Sequence, residues 1–343
     1  MYSIILLLAC SEKTSQEDTS ITDVEDTAIE DTSSTEDTSS TEDTSPPEDT
    51  GTEEAESPFP ELKEEFDSKR DAALPLPITL EEPGNFTAVQ GYILPMIPLI
   101  EIQMALATAQ ESGTELECPL IEGSFPEEGL PTEDIIVTGG CTNADGTNYE
   151  GSFIYNQEGI SYSDFTTTRP SDACPEVFVS TTFNGGFAIT LSQTPEIHTL
   201  IHIASKEVDE TCTIESMSVY IENTLGIFSE EPTTIFNGNG TLLFSSTEGS
   251  AWLEYNTQDE LLDSTQCESE PLSGTNTLTN GTDTYVYTFD GADDCDPEPT
   301  QMLSINGEEV QEVTGVGCAV VPLRQALFAT LFALGCAALR RKE

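Results

Sequence analysis

Positive charge is what this chain has least of. Ten Lys and Arg stand against 64 Asp and Glu in 343 residues, for a formal net charge of −54. A field of that sign repels phosphate backbones, which excludes nucleic acid as a partner. It also disfavours anionic headgroups, so membrane attachment has to come from lipid or from an apolar segment. Histidine is nearly absent as well, with only His198 and His202. Their spacing of four suits a shared ion on a helix, but Ile197, Thr199, Ile201 and Ile203 alternate with them and predict a strand. On a strand the two rings lie on one face about 13 Å apart, too far to share an ion. No Cys-x-x-Cys pair occurs, so zinc knuckles and thioredoxin-like redox motifs are unsupported. Nor is there a Gly-x-Ser-x-Gly elbow, a P-loop or a dinucleotide fingerprint. Carboxylates are abundant, but so many acids offer no means of choosing a hydrolytic pair. No catalytic constellation emerges. The single tryptophan, Trp252, sits near Tyr255 and reads as a β-core aromatic, with sugar stacking as the sharper alternative.

Both ends carry apolar segments. Residues 1–10 read Met-Tyr-Ser-Ile-Ile-Leu-Leu-Leu-Ala-Cys, an apolar run from Ile4 to Leu8, a small residue and a cysteine. Leu7-Leu8-Ala9-Cys10 resembles the lipobox of bacterial lipoproteins. That resemblance implies a cleaved signal peptide, diacylglycerol on the Cys10 thiol and an acylated new amino terminus (a palmitate-type anchor), since several chains give durable attachment. Ser11 stands where Asp would signal inner-membrane retention, so the resemblance implies a lipoprotein of the outer membrane in the cell envelope. At the other end, Ala319 to Leu339 is mostly apolar and is followed by Arg340, Arg341 and Lys342. With Gly317-Cys318 ahead of it, residues 317–343 resemble bacterial surface-sorting tails. A retained membrane helix, with the basic cluster on the cytoplasmic side, and a buried terminal helix are the two other readings.

Residues 11–57 are Thr, Ser, Glu and Asp with little else, and Glu30-Asp31-Thr32-Ser33-Ser34-Thr35 recurs at Glu36 to Thr41. Such low complexity offers too little apolar area to offset chain entropy, which predicts a disordered, self-repelling acidic stalk. At full extension of about 3.3 Å per residue it holds a domain far from the membrane.

Residues 58–316 are expected to form one all-β extracytoplasmic domain. Glu61 to Ala73 predicts a short helix, stopped by Pro75 and Pro77. Beyond it, period-two runs such as Phe86, Ala88 and Gln90, then Ile100, Ile102, Met104 and Leu106, then Val177, Val179 and Thr181 predict strands. Asn-Gly pairs at 184, 237, 280 and 306 predict hairpins. The sum is an antiparallel sandwich or an open barrel of hairpins. A faint echo between residues 149–191 and 240–289 suggests two pseudo-repeats.

Cys10 is assigned to lipid and Cys336 lies in the apolar tail, leaving seven cysteines. In an exported chain these read as disulfides, each contributing about 2 to 4 kcal/mol. Sequential pairing gives Cys118 with Cys141, Cys174 with Cys212, and Cys267 with Cys295. The alternative joins Cys295 to Cys318, repeating the spacing of the first pair. Asp290, Asp293, Asp294 and Asp296 form an acidic loop that resembles the calcium loops of cysteine-containing surface repeats. A solvated turn is the plainer reading, and no other cofactor is implied. Asn143 to Asn148 half-matches an EF-hand, but Cys141 stands where its first Asp belongs.

The sequence therefore predicts a surface-exposed lipoprotein with a binding, adhesive or structural role and a protein or glycan ligand. Its rivals are a secreted hydrolase using paired carboxylates and a periplasmic carrier of lipids or lipoproteins. A hydrolase needs convergent acids in a cleft and a carrier needs an apolar cavity in a half-barrel; an adhesin needs neither.

Overall fold

The computed structural model describes residues 57–76, 86–126, 130–171, 174–190, 195–208, 211–230, 232–246, 249–263, 265, 271–289, 300–306 and 308–314, with backbone alone for 300–305 and 308–314. Cys10, the acidic segment 11–56, Cys267, the Asp290 to Asp296 loop with Cys295, and Gly317-Cys318 with the tail lie outside the described residues. Helix α1 (Pro60–Ala72) comes first, followed by the two-residue strand β1 (Leu74–Pro75). Next are α2 (Ala88–Ile93), a 3₁₀ turn (Leu94–Met96) and α3 (Ile97–Ser112). Strands then run almost without interruption: β2 (Leu120–Glu122), β3 (Ile135–Thr138), β4 (Cys141–Thr142), β5 (Asn148–Asn156), β6 (Gly159–Pro170), β7 (Phe178–Thr190) and β8 (Glu196–Val208). They continue as β9 (Ile214–Glu230), β10 (Thr233–Ser246), β11 (Gly249–Asp263), β12 (Ser273–Thr279), β13 (Thr284–Phe289), β14 (Thr300–Ile305) and β15 (Glu308–Thr314).

The strands make one 15-stranded sheet, antiparallel throughout its main path and ordered as in the chain from β2, β3 and β5 to β15. It is all-β, disulfide-braced and open, not closed on itself. Cys118–Cys141 and Cys174–Cys212 are bonded, as sequential pairing predicts. The first ties the approach to β2 onto β4, and the second joins the β6–β7 loop to the β8–β9 loop.

Alternation sorts each strand into two faces. On the core face β8 buries Ile197, Thr199, Ile201 and Ile203, and β9 buries Val219, Ile221, Asn223 and Leu225. Aromatic rings crowd the same face, with Phe153 edge-on to Phe165 at 5.1 Å and Tyr92 of α2 edge-on to Phe187 at 5.1 Å. Burying such rings supplies area and a preferred edge-to-face geometry.

Residues 86–90 and 100–106, expected as strands, instead lead through the Thr87 cap into α2 and lie within α3. Thr87 and Gln90 build a reciprocal capping box at the start of α2, and Gly113 with φ 69° closes α3. The apolar residues of Ile97 to Leu106 run around the whole helix, so period two fits them by coincidence. Ala88–Ser112 has the length and apolarity to cross a bilayer, yet half of its most apolar window is buried in this fold.

Polar residues of the core face hold the chain leading into α2. Asn280 Nδ2 donates to Leu76 O (3.0 Å), Asn276 Nδ2 to Phe86 O (2.6 Å) and Asn223 Nδ2 to Ala88 O (2.9 Å), while Ala88 N donates to Thr257 Oγ1 (2.8 Å). Gly238 lets the helix approach, since a Cβ there would stand 2.6 Å from Ala88 Cβ and 2.5 Å from Thr224 O.

Two of the four Asn-Gly pairs are not hairpin turns. Asn184-Gly185 lies inside β7 and Asn237-Gly238 inside β10. Asn184 Oδ1 accepts from Asp164 N at 2.7 Å and Asn237 Oδ1 from Asp259 N at 2.8 Å, each at a bulge where the Asp adopts positive φ. Asn280-Gly281 does form the β12–β13 turn, so it is not the structural counterpart of Asn184-Gly185 in the suspected repeat.

Candidate functional site

Among the described residues, α1 is the helix that covers the opposite, outer face of the sheet. Its Phe66 is buried on Leu200, Tyr220 and Leu243, with Leu62 and Trp252 at the margin. Charge completes the attachment: Lys63 Nζ stands 3.1 Å from Glu222, Arg70 Nη2 is 2.8 Å from Glu254, and the Arg70 guanidinium lies 3.5 Å over the Trp252 ring. These pairs are partly exposed, so each contributes about 1 kcal/mol or less. Trp252 is therefore taken up by Arg70 and is not an open platform for a sugar.

Two grooves lie on this face beside α1, where Ser, Thr and Asn recur at the outward positions of β6, β7, β10 and β12. One groove, of about 410 Å³, has Glu222, Thr241, Glu254 and Thr279 along one row and Thr224, Asn239, Asn256 and Thr277 along the next. The other, of about 670 Å³, is bounded by Glu65 and Lys69 of α1 and by Thr166, Thr168, Ser180, Thr182, Ser218 and Ser245 of the sheet. Lys206, His202 and Tyr220 complete its wall and floor.

The two histidines lie in β8 on the outer face, as the alternation predicts, but on opposite sides of α1. His198 Nδ1 is 3.3 Å from Thr224 Oγ1 and its Nε2 is 3.6 Å from Glu196. His202 lies flat on Tyr220, with ring centroids 4.0 Å apart and planes within 4°. Burial holds the His202 imidazole below its ordinary range, with the nearby Glu65 charge opposing that shift, and its Nε2 makes no hydrogen bond among the described residues. The Tyr220 hydroxyl donates to Glu65 Oε1 at 2.8 Å, and its own ionisation is pushed up by burial and by that carboxylate. Among the described residues no three His, Cys, Asp or Glu side chains converge as metal ligands. The half-match to an EF-hand is a tight turn between β4 and β5, where Asn143 and Asp145 both accept from Thr147 N.

Of the ten Lys and Arg in the chain, Lys13, Arg324, Arg340, Arg341 and Lys342 lie outside the described residues. Of the remaining five, Lys63, Lys69, Arg70 and Lys206 gather on the outer face, and only Arg169 does not. Sequence reasoning missed Glu65, Lys69, Lys206 and Tyr220. One signal was present, since three of the ten cations fall within Lys63 to Arg70. Comparison of the chain with protein-family models, curated proteins and solved structures finds no significant match.

Proposed function

We propose that the chain is a surface-exposed lipoprotein of the bacterial outer membrane, anchored through Cys10, whose β domain binds a ligand on its outer sheet face. The observation that carries this reading is the contrast between the two faces. Among the described residues, the core face is occupied by α2, α3 and the segment leading into them, while the outer face offers grooves beside α1. A lipid carrier calls for an enclosed apolar cavity, whereas both grooves are open and lined mostly by polar side chains. The lipobox-like Cys10 and the acidic segment after it support a position outside the cytoplasm and away from the bilayer, and the two disulfides suit that compartment. Labelled palmitate is expected in the wild-type chain and absent from Cys10→Ala; label that persists in the variant overturns the anchoring.

A hydrolase reading has one specific foothold. Glu222 and Glu254 line the smaller groove two strands apart, on either side of Thr241, and a pair of carboxyl groups is what glycoside hydrolysis uses. Both are bonded to cations of α1, and this favours a binding role. Release of nitrophenol from nitrophenyl glycosides by the wild type, lost in Glu222→Gln and Glu254→Gln, would reverse the preference.

A further inference from the structure

We infer that the larger groove, between α1 and the outward residues of β6 to β10, is a binding site for a saccharide that bears a carboxylate. The inference rests on the outer-face reading above and adds the chemical class of the ligand. Three observations carry it.

The first is the wall. Hydroxyls from β6, β7, β9 and β10 face the groove, including Thr166 and Thr182, whose oxygens are 2.9 Å apart. A hydroxyl both donates and accepts, which matches the amphoteric hydroxyls of a sugar without committing to one geometry. The second is the volume. About 670 Å³ suits a ligand of two or three sugar rings. The floor is the stacked pair of His202 and Tyr220, with ring centroids 4.0 Å apart.

The third is the charge. In a chain with net charge −54, two cations, Lys69 and Lys206, line this one groove. Glu65 is the only carboxylate among its lining residues, and it is engaged by the Tyr220 hydroxyl with Lys69 at 3.8 Å. The local balance is one positive charge in a strongly negative surround. A neutral sugar makes no use of that exception, whereas a uronate-type carboxylate is matched by it.

The test uses the full-length chain, titrated by calorimetry with trigalacturonate and with its neutral counterpart, galactotriose. Trigalacturonate is expected to bind at least tenfold more tightly than galactotriose, and to weaken as salt rises. The double variant Lys69→Gln/Lys206→Gln is expected to lose at least tenfold for trigalacturonate alone, with its unfolding temperature checked as a folding control. Glu65→Gln removes the one carboxylate and is expected to tighten trigalacturonate. Equal affinity for the two probes, no binding of trigalacturonate, or indifference to the lysines overturns the acidic-sugar assignment. Thr182→Trp, which fills the groove, separates this from the broader reading. If galactotriose binds and Thr182→Trp abolishes it, the outer face still binds but the carboxylate preference is wrong. If trigalacturonate binds the Trp variant unchanged, the larger groove is not its site and the assignment of this groove fails.

Discussion

At the scale of single residues, two buried titratable groups set opposite limits on stability. Glu260 of β11 points into the core face opposite Phe236, and burial pushes its carboxyl from 4.5 up to about 8. Between those values the native chain keeps a proton that the unfolded chain has released, so stability falls as pH rises across that window. Glu260→Gln is expected to flatten that fall, as read from unfolding temperatures between pH 5 and pH 8. His202 acts on the other side. Its folded value lies below 6.5, so on acidification the unfolded chain takes up a proton first, and stability falls below about pH 6.5. His202→Phe is expected to remove part of that acid sensitivity while keeping the stack on Tyr220. Glycine sets a steric limit of the same local kind. Gly238→Ala forces a methyl against Ala88 and Thr224 O, and a loss of about 1 to 3 kcal/mol is expected in denaturant unfolding.

At the scale of elements, α1 is a separately attached piece. It rests on a small apolar cluster around Phe66 and on partly exposed ion pairs, whereas the sheet beneath has its own core on the other side. Phe66→Ala removes about 3 to 5 kcal/mol from a docking of that size. The expected result is rapid amide exchange over residues 60–72 with little change in β8 and β9. Uniform loss of protection across the sheet would show that α1 is part of the global unit. The sequence made this helix legible through its prolines and its spaced Leu62 and Phe66. It did not make α2 and α3 legible, because their apolar residues surround the helix and leave no periodic stripe to read. Asn184-Gly185 and Asn237-Gly238 misled for a related reason. A bulge inside a strand uses the same positive-φ chemistry as a turn, and only the flanking pairing distinguishes them. The strands and two disulfides were readable because alternation and cysteine order are local properties. The larger groove was not, since its lining comes from segments scattered between Glu65 and Ser246, and Ser and Thr are common everywhere in the chain.

At the scale of the whole molecule, a net charge of −54 should make the fold sensitive to ionic strength. Screening shortens from about 10 Å at 0.1 M salt to about 3 Å at 1 M. The unfolding temperature is expected to rise with sodium chloride, because relief of self-repulsion outweighs the weakening of the few ion pairs to α1. A fall with salt would reverse that ranking. The meander also fixes a temporal order. Each strand from β5 to β15 needs only its predecessor as a template, so the sheet can grow as the polypeptide lengthens. The segment from Pro60 to Ala88 has no such neighbour: Arg70 waits for Glu254, Phe86 for Asn276 and Leu76 for Asn280, across 184, 190 and 204 residues. The stretch of the domain synthesised earliest thus waits for strands made long after it. A nascent chain arrested before β8 would hold only the start of the sheet, with the seat of its amino-terminal helix not yet made.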